Sequence, residues 1–99
     1  MRILSLPALK NFYERKPYAD PKAPLLAWRA FVLRANWHDP ADLKADFGHA
    51  SILKEGRVVF NIAGNKYRLV TSINYRRGIV FIRFIGTHKQ YDAIDAQEI

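Results

Sequence analysis

Side chains that can move protons and bind anions follow directly on an apolar run near the carboxyl end of the chain. Residues 79–85 are all apolar except Arg83, which is typical of a buried strand. An arginine in such a run indicates either a buried ion pair or an anion site. Gly86 is predicted to end this strand. The next residues bring a hydroxyl, an imidazole, an ammonium and a phenol: Thr87, His88, Lys89 and Tyr91.

These side-chain types fit metal-free cleavage of RNA. In that reaction the ribose 2′-hydroxyl attacks the adjacent phosphate, which requires a base, an acid and cations around the phosphorane. DNA lacks the 2′-hydroxyl, so the mechanism itself selects RNA. The candidate residues, drawn from three predicted strands and the segment after them, are Asn61, Arg68, Arg83, His88, Lys89 and Tyr91.

His88 is the best candidate for acid or base because an imidazole titrates closest to neutral pH. Tyr91 can orient the 2′-hydroxyl or stack on a base. A purely structural interpretation stays open for each residue of this segment. In that interpretation His88 only ends the strand, Lys89 is solvated and Tyr91 packs against a last helix.

Several other chemistries lack their characteristic residues. The chain has no cysteine, glycine-rich phosphate loop or nucleophile elbow, and its three histidines are scattered. We therefore expect no metal site and no cofactor. Asp92 and Asp95 are interpreted as capping residues of a last helix that begins near them, and not as a catalytic carboxylate pair.

Positive charge is concentrated in the second half of the chain. Residues 53–91 contain eight Lys or Arg and a single acid, whereas residues 1–52 contain eight Lys or Arg and five acids. The last eight residues contribute three acids and no cation. A basic domain favours polyanions such as nucleic acid, although an anionic membrane, an acidic protein or plain solubility gives the same sign.

The length of 99 residues, about half of them apolar, fits one domain spanning residues 1–99. Pro7 and Lys10 come too early for the apolar region of a signal peptide, and no run is long enough to span a membrane. The lack of cysteine suits a reducing compartment. We expect a cytoplasmic protein without membrane contact.

Cap and proline signals predict three helices in the first half. Ser5 is expected to cap the first helix, with Pro7 in its first turn and Pro17 after its end. Asp39 caps the third helix, which Gly48 ends. The residues expected to share one face of these two helices are Leu9, Phe12 and Tyr13, and Leu43 and Phe47, respectively.

The second helix is predicted to open at Asp20 followed by Pro21, with Pro24 in its first turn. Its apolar residues recur at helical spacing and form one stripe: Leu25, Trp28, Phe31, Val32 and Ala35. Trp28 and Trp37 are expected in the core.

The second half has strand-like periodicity over residues 57–62, 66–74 and 79–85. A turn at residues 64–65 places Asn61 opposite Arg68. A two-residue turn at residues 76–77 then sets Val70 beside Arg83, with Leu69 beside Phe84 and Thr71 beside Ile82, so that Asn61, Arg68 and Arg83 share a face. A three-residue turn ending at Gly78 instead moves Arg83 to the opposite face.

The prediction is therefore an α+β fold. An antiparallel sheet of three to four strands carries two to three amino-terminal helices on one face, and a short helix follows at the carboxyl end. The apolar face under the helices is formed by Val58, Phe60, Ile62, Tyr67, Leu69, Ile73, Val80, Ile82 and Phe84.

Two blocks of sequence closely resemble the HigB toxins of bacterial toxin-antitoxin pairs. They are Phe60-Asn61-Ile62-Ala63-Gly64-Asn65-Lys66-Tyr67-Arg68-Leu69-Val70 and Ile82-Arg83-Phe84-Ile85-Gly86-Thr87-His88-Lys89-Gln90-Tyr91-Asp92. Residues 40–47, together with Trp37, are similar to the middle block of the family, and Pro21, Leu25 and Trp28 fit its helical start. The resemblance runs nearly end to end.

This resemblance implies a RelE-like fold and cleavage of mRNA in the ribosomal decoding site. It also implies a HigA-like antitoxin with a helix-turn-helix, through which alone the toxin is brought to operator DNA. Carried over to this sequence, the catalytic positions are His88, Tyr91, Arg68, Arg83 and Lys89, and the RNA-binding positions are Asn61, Lys44, Lys66 and Arg57.

Two other functions remain as alternatives. The first is a basic module that binds RNA or the ribosome and blocks translation without cleavage. The second is an inactive subunit that serves only the DNA-binding antitoxin complex.

Overall fold

The computed structural model describes residues 1–15 and 20–99. In chain order the elements are β1 (Arg2–Leu4), α1 (Pro7–Tyr13), α2 (Lys22–Arg34), α3 (Pro40–Asp46), β2 (Ser51–Ile52), β3 (Arg57–Ile62), β4 (Tyr67–Asn74), β5 (Ile79–Thr87) and α4 (His88–Asp92). The described strands form one sheet in the order β1-β5-β4-β3-β2. The α+β class is confirmed. The sheet has one strand more than expected and is mixed, because β1 pairs in parallel with β5.

The start of α1 differs from the prediction. Ser5 has a φ of 69° and its side chain caps nothing; Leu6 is the N-cap residue, without a side-chain hydrogen bond. Pro7 opens the helix as expected, because its fixed φ suits the first helical position. The prediction for Pro17 lies outside the described residues.

Asp20 does not cap α2 either. Pro21 occupies the N-cap position, Pro24 lies in the first turn as predicted, and the Asp20 carboxylate accepts a hydrogen bond of 2.5 Å from the Tyr67 hydroxyl. The carboxylate therefore ties the start of α2 to the sheet. The prediction for α3 is confirmed, since Asp39 accepts a hydrogen bond from the Asp42 amide at 2.9 Å.

The register between β3 and β4 is the predicted one. Asn61 lies opposite Arg68, and Ile62 lies opposite Tyr67. Alternating side chains therefore sort onto the two faces of the sheet as the sequence pattern indicates.

A β-bulge changes the register between β4 and β5. Thr71 pairs with Ile82 as predicted, but Val70 pairs with Phe84, and Arg83 is the extra residue between them. The predicted pairing of Val70 with Arg83, and with it that of Leu69 with Phe84, is wrong, because a strict alternation does not anticipate an extra residue.

Gly86 does not end β5, which continues to Thr87. A Cβ built on Gly86 would lie 2.6 Å from Cζ of Phe84 and 2.7 Å from Oε1 of Gln90. The glycine is therefore needed for close packing within the strand and not for a turn.

The core lies between one face of the sheet and the three amino-terminal helices. Trp28 and Trp37 are buried, as predicted. Phe31 is 46% exposed, so its place on the buried stripe is wrong; its ring instead packs edge to face against Phe47. The sheet residues in this core are Ile3, Val58, Phe60, Ile62, Tyr67, Leu69, Ile73, Val80 and Ile82. Phe84 was expected among them, but the bulge moves it to the second cluster described next.

The carboxyl-terminal residues cover part of the second face of the sheet. Ala96 is buried there with Val59 and Val70, and the partly buried residues around them include Phe84, Tyr91, Ile94 and Ile99. Gln97 fastens this segment by two hydrogen bonds, accepting from the amide of Lys54 and donating to its carbonyl. No described helix is long and apolar enough to cross a membrane.

Candidate active site

The first residue of α4 is positioned by a capping box. The Thr87 hydroxyl accepts a hydrogen bond from the Gln90 amide at 3.1 Å, and the Gln90 side chain accepts one from the Thr87 amide at 2.9 Å. Such reciprocal bonds satisfy the free amides of a helix start. The helix therefore begins at His88, four residues earlier than the predicted start near Asp92.

His88 is anchored to the turn between β3 and β4. Its backbone amide donates to the carbonyl of Lys66 at 3.0 Å, and its side chain is 49% exposed. The imidazole is thus held at a fixed place at the end of the sheet and remains accessible to a substrate.

Asp92 orients the His88 ring. Its Oδ2 lies 3.1 Å from Nδ1 of His88, one helical turn away. The interpretation of Asp92 as a helix-capping residue is wrong: it lies at the end of α4 and faces the histidine. The signal that identifies it is the spacing of four from His88, which brings two side chains of a helix together.

Tyr91 is partly buried against the second cluster, beside Val59, Val70 and Ala96. The Tyr91 ring therefore has a structural role, because it packs against the sheet. Lys89, the neighbour of His88 on α4, is exposed.

Arg68 is folded over the turn that precedes it. Its Nη2 donates to Oδ1 of Asn65 at 2.6 Å, and its Nη1 donates to the carbonyls of Asn65 at 3.1 Å and Tyr67 at 3.3 Å. These partners are all neutral, so they orient the guanidinium without cancelling its charge. An oriented cation of this kind suits an anionic phosphate.

The pairing places Arg68 between Asn61 on β3 and Gly86 on β5, two residues before His88. One end of the second face of the sheet therefore carries several of the candidate residues predicted from the sequence, together with Asp92, which was not among those candidates. We name this group the α4 site: Asn61, Arg68, His88, Tyr91 and Asp92.

Arg83 does not belong to the α4 site. Five residues separate it from His88 along β5, which corresponds to about 16 Å in a strand. Its guanidinium carbon lies 5.5 Å from the centroid of the Phe81 ring, so the side chain points away from α4. It is exposed, which excludes the buried ion pair considered from the sequence.

The remaining predicted RNA contacts are dispersed. Lys66 is exposed, and its Nζ lies 3.5 Å from Oδ2 of Asp20. Its backbone carbonyl accepts the hydrogen bond from the His88 amide, so Lys66 lies close to the α4 site. The Lys44 ammonium donates to the carbonyls of Gly48 and Ala50, which gives it a structural role in the loop after α3. Arg57 lies at the far end of β3, opposite Ser72.

One carboxylate next to the site has a perturbed pKa. The hydrogen bond from the Tyr67 hydroxyl holds the pKa of Asp20 below its ordinary value, and the Lys66 ammonium acts in the same direction. Within residues 1–15 and 20–99 no group of three or more His, Cys, Asp or Glu side chains is arranged to hold a metal ion.

Fold and site together fit a RelE-like toxin, and comparisons with known proteins give the family. Residues 21–94 match the model of the HigB toxin family, described as the RelE-like toxic component of a toxin-antitoxin system. Similar proteins are the mRNA interferase toxin HigB of Escherichia coli K12 and the mRNA interferases HigB of Escherichia coli O157:H7 and Shigella flexneri. Each is 31% identical over 98 residues, covering 97% of this chain and 92% of the relative. The chain therefore belongs to the HigB toxin family.

Proposed function

We propose that this HigB-family toxin is an endoribonuclease that cleaves mRNA through attack of a ribose 2′-hydroxyl on the adjacent phosphate. The observation that carries the proposal is the accessible imidazole of His88, oriented by Asp92, at the same sheet end as the unneutralised guanidinium of Arg68. The relatives named mRNA interferases support the same activity.

In this mechanism His88 acts as the base. Nδ1 faces Asp92, which leaves Nε2 to take the proton from the 2′-hydroxyl as its oxygen attacks phosphorus. Arg68 of the α4 site stabilises the negative charge that develops on the phosphorane, and the exposed Lys89, which follows His88 on α4, adds a second cation next to the site. The leaving 5′-oxygen is protonated as its bond to phosphorus breaks, with Tyr91 as the donor on α4. The products are a 2′,3′-cyclic phosphate and a 5′-hydroxyl.

The protein acts on mRNA bound to the ribosome and is neutralised by a HigA-like antitoxin that carries a helix-turn-helix. Operator DNA is bound only through that antitoxin, and the site of action is the cytoplasm. The formal net charge of +7 supports approach to a polyanionic particle such as the ribosome. Membership of a toxin-antitoxin family supports the pairing with an antitoxin.

The test compares the wild type, His88→Ala and Tyr91→Phe after induction in a bacterium, with mRNA 5′ ends mapped genome-wide. We expect new 5′-hydroxyl ends and growth arrest for the wild type, and a loss of ends of about a hundredfold or more for His88→Ala. The exposed His38 provides the matched control, because His38→Ala removes an imidazole far from α4. Cleavage on intact ribosomes should persist in EDTA.

Two outcomes would contradict the proposal. If induction of the wild type produces no new mRNA 5′ ends, the protein is not a nuclease. Growth arrest by His88→Ala equal to that of the wild type, without cleavage, favours a module that only blocks translation.

A further inference from the structure

A cavity lies at the end of the sheet opposite the α4 site, between Pro40 of α3 and strand residues that include Ser72 and Phe81 of the second face. Its volume is about 560 Å³, and the residues that matter for its chemistry are Glu55, Ser72, Tyr75, Arg76, Phe81 and Arg83. We propose that this cavity, here named the Arg83 cavity, binds a nucleotide of the substrate RNA away from the phosphate that is cleaved. The inference rests on the proposed RNA substrate and deepens it.

The strand pairing places the cavity on a path that starts at the α4 site. Arg57, Ser72 and Phe81 are neighbours across three strands, in the same way as Asn61, Arg68 and Gly86. The two rows are separated by four residues of β3, or about 13 Å. A single strand of RNA that lies along the sheet therefore reaches both.

The covered part of the face lies between these two rows. Val59 and Val70 occupy the intermediate positions, and Ala96 of the carboxyl-terminal segment is buried on them. An RNA strand must pass over this segment, so the two sites contact separate nucleotides and not one phosphate.

Arg83 and Phe81 give the cavity a surface for stacking. The guanidinium carbon lies 5.5 Å from the centroid of the Phe81 ring, which supports the planar group from one side. Its other side is exposed, and unpaired RNA bases stack on guanidinium planes as well as on aromatic rings. The bulge that makes Arg83 an extra residue is what releases its side chain from the pairing pattern.

The Tyr75 ring, which lines one edge of the cavity, packs against the core under the amino-terminal helices. The hydroxyl oxygen of Tyr75 is buried and has no hydrogen-bond partner among the described residues. Burial raises the pKa of this phenol, with a smaller contribution from Asp39, so it is a neutral donor at pH 7. The hydroxyl therefore lies inside the protein and does not contact a nucleotide in the cavity.

The charges of the lining suit a nucleotide. Arg76 and Arg83 supply two cations for a phosphate, and Glu55 supplies one carboxylate. A carboxylate repels a phosphate but accepts hydrogen bonds from the amino group of a base. The combination therefore favours a base together with its phosphate over a free anion.

The experiment measures binding of a short 2′-O-methyl RNA, which lacks the attacking hydroxyl and cannot be cleaved by this mechanism. Fluorescence anisotropy with the full chain gives the Kd at several salt concentrations. We expect Arg83→Ala to weaken binding about tenfold and to lower the slope of log Kd against log salt by about one. Phe81→Leu should weaken binding without changing that slope, because it removes stacking and not charge.

Arg77→Ala is the matched control. Arg77 is an exposed arginine of the turn between β4 and β5, and it is not part of the cavity lining. Its removal changes the net charge by the same amount as Arg83→Ala. An equal loss of affinity in both variants would overturn the proposal, since it would show a general charge effect.

Cleavage assays on ribosomes separate this inference from the proposed function. A distant binding site predicts that Arg83→Ala raises KM and leaves kcat and the pH profile unchanged. A fall in kcat with unchanged affinity for the 2′-O-methyl RNA would place Arg83 at the reacting phosphate and overturn the inference. A wild type that never cuts mRNA would refute the proposed function, while the binding comparison would still decide the cavity. Urea unfolding of each variant shows that the fold is retained.

Discussion

His88 and Asp92 face each other across one turn of α4, with Nδ1 and Oδ2 3.1 Å apart. A carboxylate in this position holds an N–H on Nδ1 and therefore presents the lone pair of Nε2 to the outside. Both side chains are at least 49% exposed, so the contact contributes little to stability. Its value lies in the orientation of the imidazole.

Replacement of Asp92 tests this orientation. We expect Asp92→Ala to lower the single-turnover rate of mRNA cleavage about tenfold. The rate of Asp92→Asn should be reduced less, because the amide oxygen of the asparagine still accepts a hydrogen bond from Nδ1 of His88. Glu98→Gln removes one negative charge from the same end of the chain and should leave the rate unchanged. Equal rates for Asp92→Ala and the wild type would show that the contact is only a surface pair.

Asn65 is expected to act through Arg68. Asn65→Ala removes the 2.6 Å hydrogen bond to Nη2, so the guanidinium gains freedom and the cleavage rate should fall several-fold, on the order of fivefold. Asn74→Ala is the control, because Asn74 also holds a turn, by accepting from the Arg77 amide. If both variants lose the same activity, the loss reflects turn stability and not the position of Arg68.

Gly86 offers a test of the packing under α4. Gly86→Ala brings a Cβ to within 2.6 Å of Cζ of Phe84 and 2.7 Å of Oε1 of Gln90, so the ends of both side chains must move, and we expect the fold to lose about 1 kcal/mol. Gly48→Ala is the matched control, since among residues 1–15 and 20–99 no heavy atom beyond its chain neighbours lies within 4 Å of the added Cβ. Urea unfolding at pH 7 measures both. An equal small effect at the two glycines would contradict the crowding at Gly86.

The link between Asp20 and Tyr67 predicts a pH dependence of stability. The folded protein lowers the pKa of Asp20, so this stabilisation is complete above the ordinary carboxyl range and is lost as pH falls through and below it. Tyr67→Phe removes the main cause, the hydroxyl that donates to Asp20. Its deficit in unfolding free energy should therefore be larger at pH 7 than at pH 3.

Urea titrations of the wild type and Tyr67→Phe at the two pH values give this deficit. Tyr13→Phe serves as control, because it removes a hydroxyl from a tyrosine of α1 and should show a deficit that does not change with pH. A constant deficit for Tyr67→Phe would indicate that the hydroxyl does not stabilise the ionised carboxylate.

The parts of the fold that follow from local rules were predictable. Alternation and a short turn are enough to place Asn61 opposite Arg68, and a cap followed by proline is enough to start α3 at Pro40. The family resemblance is also confirmed by the match over residues 21–94. The β3–β4 register and the start of α3 depend on residues that are close together in the chain.

The features that were missed depend on tertiary packing. The hydrophobic periodicity does not predict the β-bulge at Arg83. This bulge moves the side chain of Phe84 to the other face of the sheet. The same holds for Ala96, which is buried against Val59 and Val70, and for Gln97, which is bonded to Lys54, 43 residues earlier in the chain. As a result, the sequence did not indicate that Asp92 faces His88 or that the Arg83 side chain lies against Phe81, away from α4.

The parallel pairing of β1 with β5 joins Ile3 to Val80, so the fold closes on itself late in the order of synthesis. A protein chain is synthesised from its amino terminus, so β1 has no pairing partner until β5 has been made. The histidine of α4 comes later still. On a nascent chain, both the sheet and the α4 site therefore stay incomplete until residues 79–92 have been synthesised.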